Sequence, residues 1–230
     1  MYGLLISIGG ISAFLLSEWA VKREQLNTAI FYKTVNWAII GGVVGARFYH
    51  VLHYWEYYLT NPILTLAIWR GGLGIYGGLI GGTLTAYVVL KIHGEKVAKW
   101  LNSLILGIPL AQAIGRWGNY FNRELYGVKT ALPWGWWING EKRHPLFLYE
   151  SVLCGLLFLL MLFLYKRVKS LPKGAIFLLY IGSYALIRFF LEFLRIGSWT
   201  LHGVNVAQAI SVGIAIASLL GFIKIRNHTT

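Results

Sequence analysis

The sequence has few acidic residues and lacks aspartate: all eight carboxylate side chains in its 230 residues are glutamates. Aspartic membrane peptidases need a pair of aspartates, and magnesium-dependent phosphatidyl transferases usually hold their metal through clustered aspartates. The chain also has no Gly-Lys followed by Ser or Thr, which a Walker A loop requires. The composition therefore argues against these enzyme classes.

Cysteine is nearly absent as well. Cys154 is the only one, so the chain has neither an internal disulfide nor a Cys-x-x-Cys pair. It lies in the apolar run SVLCGLLF, where we expect a small core residue and not a nucleophile. His50 and His53 stand one helical turn apart without a neighbouring carboxylate, which favours packing or interfacial hydrogen bonding over metal binding. We therefore predict no metal site.

Charge of either sign is scarce, whereas apolar residues are abundant. Only 13% of the residues are charged and 57% are hydrophobic, against roughly 25% charged in soluble domains. A membrane-spanning helix needs about 20 mainly apolar residues. Windows of this kind lie near residues 2–20, 36–54, 72–90, 100–114, 146–165, 174–194 and 204–223. The sequence thus predicts an all-α polytopic integral membrane protein of about seven helices, forming a single domain over residues 1–230.

Lysine and arginine are distributed unevenly between the two ends of these windows. With the amino terminus outside, twelve of the 21 fall on the inner side: Lys22, Arg23, Lys33, Lys91, Lys96, Lys99, Lys166, Arg167, Lys169, Lys173, Lys224 and Arg226. Seven fall on the outer side, namely Arg70, Arg116, Arg123, Lys129, Lys142, Arg143 and Arg195, and the other two lie within windows. Because basic residues favour the inner side, we predict an outer amino terminus and an inner carboxyl terminus. The same bias accounts for the net charge of +13, so we expect no nucleic-acid partner.

This orientation places the unusual polar residues together. They lie at the outer ends of the predicted helices, in five stretches: Tyr2 and Gly3, residues 70–76, residues 115–127, residues 143–150 and residues 188–195. We therefore expect an outward-facing polar loop region. In RFFLEFLR, the residues Arg188, Glu192 and Arg195 share one helix face. An arginine within an apolar segment indicates a functional site, and the alternative is a structural ion pair near the interface.

Glycines are concentrated in the stretch RGGLGIYGGLIGG. Gly74, Gly78 and Gly82 recur every four residues, a spacing that lets membrane helices approach closely. The alternative applies to Gly71 and Gly72, whose backbone amides could bind an anion. We expect helix packing to explain most of this stretch.

Six sequence stretches together resemble the prolipoprotein diacylglyceryl transferases of the bacterial plasma membrane. The family signature G-R-x-G-N-[FY]-x-N-x-E-x-x-G is matched in full by GRWGNYFNRELYG at residues 115–127. YGLL, GGLIGG, RHPLFLYE and RFFLEFLR match further family motifs in the same order, and VAQAISV is similar to the last helix. The resemblance covers nearly the whole chain.

The resemblance implies a reaction between two membrane substrates. The diacylglyceryl group of phosphatidylglycerol is transferred to the thiol of the lipobox cysteine in a prolipoprotein signal peptide, and glycerol phosphate is released. A thioether forms, and the family needs no nucleotide or metal, so we predict no cofactor. Arginine suits such a site because its planar fork can bind phosphate through two parallel hydrogen bonds.

The site residues follow from motif position in this resemblance. Arg116 and Arg188 would bind the phosphate and stabilise the leaving group, with Tyr2 and Glu192 completing the catalytic set. The signature would supply further substrate-binding residues: Asn119 and Asn122 as neutral donors, Glu124 to orient them, and Gly115, Gly118 and Gly127 to let the chain turn around the headgroup. Arg143, His144 and Arg195 are also assigned to substrate binding.

Tyr76 stands where some family members have a histidine that is proposed to deprotonate the thiol. We include Tyr76 among the catalytic residues, although a phenol with an ordinary pKa near 10 is a poor base at neutral pH. A thiol near 8.5 is already a few per cent ionised, so the identity of the base stays open.

Two alternative functions remain open at the level of the sequence. The same arginines could hold a headgroup in a lipid-binding transporter or scaffold, although the two halves of the chain show no convincing inverted repeat. An enzyme of the same fold could also act on another acceptor. The sequence predicts neither the oligomeric state nor the acyl-chain preference.

Overall fold

The computed structural model describes residues 1–168 and 171–227. Nine α-helices lie in these two ranges: α1 (Tyr2–Arg23), α2 (Thr28–His53), α3 (Trp55–Thr60), α4 (Ile75–Ile92), α5 (Leu101–Ile105), α6 (Ile108–Phe121), α7 (Leu146–Arg167), α8 (Ala175–Glu192) and α9 (Val206–Asn227). Short 3₁₀ helices occupy Pro62–Leu66, Ile68–Arg70 and Val97–Lys99. Lys169, counted above with the inner basic residues, lies outside the described residues.

Six of these helices are long and apolar enough to cross a membrane: α1, α2, α4, α7, α8 and α9. The predicted fold class, a polytopic helical membrane protein, is thus confirmed. The predicted window at residues 100–114 is instead divided between α5 and α6. Pro109 stands in the first turn of α6, where its fixed φ and missing N–H favour a helix start. A new helix therefore begins where the apolar run alone predicted a continuous one.

Two short antiparallel hairpins join the helices on the carboxyl-terminal side of α6. Strands β1 (Trp136–Ile138) and β2 (Glu141–Arg143) pair before α7, with Trp136 opposite Arg143. Strands β3 (Thr200–Leu201) and β4 (Val204–Asn205) pair between α8 and α9. The first hairpin ends at Arg143, where the predicted polar stretch 143–150 begins, and the second follows the predicted stretch 188–195.

The chain forms two compact units. The first comprises Met1–Glu24 with the described residues of Trp100–Thr230, and the second comprises Gln25–Lys99. In the first unit, the core is a cluster of side chains from α1, α7, α8 and the α5–α6 junction, each at most 8% exposed: Ala20, Leu106, Leu157, Met161, Tyr165, Ile176 and Tyr180. This core packs α7 against α8, and α8 carries two of the predicted site residues, Arg188 and Glu192.

In the second unit, α2 and α4 approach closely through glycines. A Cβ atom on Gly81 would overlap the carbonyl oxygen of Gly41 and lie 3.0 Å from Cα of Gly45. Gly77 meets the carbonyl of Gly45 in the same way. At Gly78, one of the predicted positions, a Cβ would have an ordinary contact of 3.6 Å. The predicted packing through glycines is therefore present. The closest contacts, however, are made by Gly77 and Gly81, one residue before the predicted Gly78 and Gly82.

Arg47 organises the segment between α3 and α4. Although it lies in the span α2 and is only 8% exposed, its guanidinium has no carboxylate partner among the described residues. It donates instead to the backbone carbonyls of Leu64, Thr65, Gly71 and Gly72, with Nε at 2.9 Å from Thr65 O. The buried charge thus holds the segment through backbone carbonyls, and the carbonyls of both glycines face a cation.

Candidate active site

The signature stretch forms the end of α6 and the loop that follows it. Asn122 is the C-cap of α6, and its side chain donates to Glu124 Oε1 at 2.8 Å. Arg123 and Leu125 have positive φ angles of 54° and 56°, which are uncommon for residues with side chains. The loop is held by hydrogen bonds from Glu124 N to Asn119 O (2.8 Å) and from Phe147 N to Leu125 O (3.1 Å). A strained backbone next to a cluster of polar side chains is typical of functional loops.

The three signature glycines lie in two different settings, the helix α6 and the loop that follows it. Gly115 and Gly118 lie inside α6, so the chain does not turn at either, and the expectation of a turn there is corrected. Gly118 instead admits the ring of Tyr2, whose Cε2 would lie 2.8 Å from an added Cβ. Gly127 lies in the loop, where a Cβ would come within 2.5 Å of the carbonyl oxygen of Leu194. The structure therefore brings Tyr2 and the end of α8 against the signature stretch.

Arg116 is anchored by a carboxylate from another helix. Its Nη2 donates to Glu150 Oε1 at 2.6 Å, and Glu150, in the first turns of α7, is 1% exposed. Tyr184 of α8 donates its hydroxyl hydrogen to the same Oε1 at 2.9 Å, and its oxygen lies 3.4 Å from Arg116 Nη2. A buried carboxylate is costly unless it is paired and hydrogen-bonded, and Glu150 meets both conditions. The three side chains thus form one buried polar network.

The Nε atom of Arg116 has no hydrogen-bond partner among the described residues, although it is buried. Buried donors of this kind are uncommon, and one explanation is a ligand that accepts the hydrogen bond. The side chain is 28% exposed, so part of the guanidinium is accessible. Arg116 can therefore be held by Glu150 and still bind an anion.

A second arginine–glutamate network closes the end of α8. Arg188 Nη2 donates to Glu192 Oε2 at 2.7 Å, as the four-residue spacing predicted. Arg195 Nη1 lies 3.8 Å from the same oxygen, and Ser198 Oγ donates to Oε1 at 2.7 Å. The carboxylate of Glu192, whose side chain is 3% exposed, is surrounded by these three groups. Arg188 and Arg195 consequently share one counter-ion.

The residues just before α7 contact both their own loop and the signature stretch: Arg143 Nη1 donates to Gly127 O at 3.4 Å, and Gly127 N donates to His144 O at 2.8 Å. Arg143 forms an ion pair with Glu141, which also pairs with Lys129, and the hydrogen bond from Lys129 is the main reason that the pKa of the Glu141 carboxyl is lowered. His144 Nδ1 lies 3.1 Å from the hydroxyl of Tyr149. Neither Arg143 nor His144 lines the cavity described next. Both residues thus hold the signature loop that lines the cavity, and their role in substrate binding stays a prediction.

A polar cavity of about 530 Å³ lies between the signature stretch and the loop after α8. It is lined by three arginines, one glutamate and four neutral residues: Arg116, Arg123, Arg195, Glu124, Asn119, Leu125, Tyr126 and Ile196. The excess of arginine gives the cavity a positive potential that suits a phosphate-bearing ligand. Arg188 does not line it, but Glu192 connects Arg188 to Arg195, which does.

Four of the predicted site residues therefore line one cavity: Arg116, Asn119, Glu124 and Arg195. Three more contact residues of its wall or the helix α6 that carries part of it, namely Asn122, Glu192 and Tyr2, and Arg188 contacts Glu192.

Tyr76 belongs to the second unit, where it is 65% exposed and its ring centroid lies 6.2 Å from that of Tyr49. His50, also in that unit, contacts Tyr58, with 3.2 Å between Nδ1 and the hydroxyl. Within residues 1–168 and 171–227, no three His, Cys, Asp or Glu side chains cluster as metal ligands would.

Sequence reasoning assigned no role to Glu150, Tyr184, Arg123 or Ser198. Glu150 carried a signal, because a carboxylate in an apolar helix of a membrane protein needs a partner. Arg123 stands at a variable position of the signature, and its place on the cavity wall depends on the left-handed loop conformation. Tyr184 and Ser198 are ordinary residues in their local sequence. Only the fold reveals them.

Comparison with known proteins shows the family of the chain. The family model described as prolipoprotein diacylglyceryl transferase matches residues 1–224. A phosphatidylglycerol–prolipoprotein diacylglyceryl transferase of Finegoldia magna is 40% identical over 227 residues, which cover 99% of this chain and 91% of that protein. Proteins of the same name from Clostridioides difficile (40% identical, 96% and 89% covered) and a Nostoc species (39%, 94% and 81%) are also similar. The resemblance predicted from the signature is confirmed, and the chain belongs to the prolipoprotein diacylglyceryl transferase family.

Proposed function

We propose that this protein is a transferase that moves the diacylglyceryl group of phosphatidylglycerol to a prolipoprotein, the first step of lipoprotein maturation. The arginine-lined cavity carries the proposal, because it offers a binding place for a phosphate headgroup beside apolar helices. The names of the relatives support both substrates. Since the family model covers residues 1–224, we treat residues 1–230 as one transferase domain.

The acceptor in this proposal is the thiol of the lipobox cysteine. Its sulfur attacks the glyceryl carbon that carries the phosphate ester, so a carbon–sulfur bond forms as the carbon–oxygen bond to phosphate breaks. The thiol proton leaves to solvent or to a base, and the oxygen and its electron pair depart as glycerol phosphate. Negative charge grows on the departing phosphate, where positive charge and donors lower the barrier.

Arg116 is the residue best placed for that task. Glu150 and Tyr184 fix its Nη2 end, while the buried Nε has no partner among the described residues. A guanidinium that is already oriented needs little rearrangement when charge develops. Arg188 supplies a second cation, with Glu192 holding it in place. Asn119 and Asn122, oriented by Glu124, would donate to the neutral headgroup oxygens.

We further propose that the protein lies in the bacterial inner membrane with the cavity near the outer leaflet. The excess of lysine and arginine in the opposite connections supports this orientation. Lys129, whose side chain is 70% exposed, is a suitable reporter. In a Cys154→Ala background, Lys129→Cys should react with a membrane-impermeant thiol reagent in intact spheroplasts. Reaction only after permeabilisation would reverse the orientation.

The transfer is tested with purified protein, phosphatidylglycerol vesicles and a lipobox peptide, with the product identified by mass spectrometry. A mass gain of one diacylglyceryl group on the peptide cysteine is expected. An acceptor with serine in place of that cysteine should give no product, because a hydroxyl is far less ionised than a thiol. Binding of lipid without transfer would instead favour a scaffold or transporter.

Cys154→Ala provides the internal control for direct transfer. Cys154 is fully buried in α7, and its Sγ lies 3.8 Å from Gln112 Oε1, so it is not placed to attack a lipid. The variant should transfer at nearly the normal rate. An inactive but folded variant, or a lipid adduct on Cys154, would replace direct transfer by a covalent lipid–enzyme intermediate.

A further inference from the structure

The loop after α8 folds back onto the helix through two residues. Gly197 has a φ of 70°, a left-handed conformation that glycine adopts without steric cost. No atom lies within 4 Å of the position that its Cβ would take, so backbone conformation and not crowding favours glycine here. The turn directs Ser198 toward Glu192, and its Oγ donates to Oε1 at 2.7 Å.

This hydrogen bond occupies one of the two carboxylate oxygens of Glu192. The other oxygen, Oε2, accepts from Arg188 Nη2 at 2.7 Å and lies 3.8 Å from Arg195 Nη1. A carboxylate with two free oxygens can bind a guanidinium through two parallel hydrogen bonds. With Oε1 bound to Ser198, Arg188 makes a single hydrogen bond among the described residues. Most of its five donors thus remain for another acceptor.

We propose that Ser198 is a positioning residue that keeps Glu192 from binding Arg188 through both oxygens, so that Arg188 stays available to a phosphate. This inference rests on the proposed function, in which Arg188 binds the phosphate of the lipid. Ser198 itself touches no reacting atom.

The attachment of the loop to the signature stretch extends this effect. Val128 N donates to Leu194 O at 2.9 Å, and Gly127 forms a β-bridge with Arg195. Arg195 also lines the cavity. Residues 194–198 therefore contact the cavity wall and also the carboxylate of Glu192. Because Glu192 binds both Arg188 and Arg195, a change at Ser198 affects both arginines.

The test compares Ser198→Ala with Ser198→Thr in the transfer assay. Loss of the hydroxyl should lower kcat/KM for phosphatidylglycerol roughly tenfold, the effect of one hydrogen bond to a charged group. The KM for the peptide should not change, and threonine, which keeps the hydroxyl, should restore most of the activity. Ser183→Ala serves as the control: Ser183 lies within α8, and its replacement should leave kcat/KM for phosphatidylglycerol unchanged.

A double-mutant cycle distinguishes positioning from general destabilisation. If Ser198 acts through Arg188, then Arg188→Lys should cost clearly less in the Ser198→Ala background than in the wild type. Independent, multiplicative effects, full activity of Ser198→Ala, or no rescue by threonine in a folded protein would each overturn the inference. If the wild type makes no product, the proposed function fails. In that case, native mass spectrometry of phosphatidylglycerol binding tests the role of Ser198 separately. The Ser198→Ala variant should bind the lipid more weakly than the wild type, and equal binding would overturn the inference.

Discussion

Glu150→Gln is expected to lower turnover about a hundredfold, equivalent to about 2.7 kcal/mol on the barrier. The carboxylate of Glu150 is the buried counter-ion of Arg116 and accepts hydrogen bonds from both Arg116 and Tyr184. The amide keeps the size of the side chain but removes the charge, and hydrogen bonds to charged groups contribute about 1.5 to 3 kcal/mol. Arg116 then loses the contact that, in the proposed mechanism, orients it toward the phosphate.

The measurement is the initial rate of peptide modification at saturating phosphatidylglycerol, with the unfolding temperature recorded in parallel. Glu18→Gln is a matched control, because Glu18 also pairs with a cation, Lys22, but that lysine lies one turn away on the same helix and is 59% exposed. Ion pairs at this spacing contribute about 0.2 to 0.5 kcal/mol, so this variant should behave as the wild type. A Glu150→Gln protein with normal turnover would remove Glu150 from the site.

Arg116→Lys and Arg188→Lys should each lower turnover at least about tenfold, although both keep the positive charge. An ammonium cannot form the two parallel hydrogen bonds by which a guanidinium binds phosphate. At Arg116, lysine would also be unable to reach Glu150 and the proposed ligand together, since the arginine binds Glu150 through Nη2 and leaves Nε without a partner among the described residues. We therefore expect the larger loss at Arg116.

Arg23→Lys serves as the control for these substitutions. Arg23 donates to the carbonyl of Lys166 on the exposed surface at the carboxyl-terminal end of α1, far along the chain from the signature. Its replacement should leave turnover unchanged. Near-normal activity of both Arg116→Lys and Arg188→Lys would refute the phosphate-binding role, whereas loss in Arg23→Lys would indicate a general effect of arginine on stability.

Part of the site could be read from sequence because it is local. The signature is contiguous, and the pair of Arg188 and Glu192 follows from helical spacing, so the observed 2.7 Å ion pair was expected. The partner of Arg116 was not accessible in this way. Glu150 is 34 residues away, and its contact depends on how α6 and α7 are rotated about their axes. Nothing in the local pattern of either helix specifies that rotation.

The membrane class, the long helices and the family were determined by the sequence alone. Hydropathy is a sum over consecutive residues, and the signature is a string of neighbours, so neither depends on tertiary contacts. The tertiary structure decided the division of residues 100–114 into α5 and α6, the register of Gly41 and Gly45 against Gly77 and Gly81, and the return of Ser198 to Glu192. These features arise where two helices pack or where a loop reverses direction. At such places the distance between two backbone segments determines which atoms are in contact, and the local order of side chains does not specify that distance.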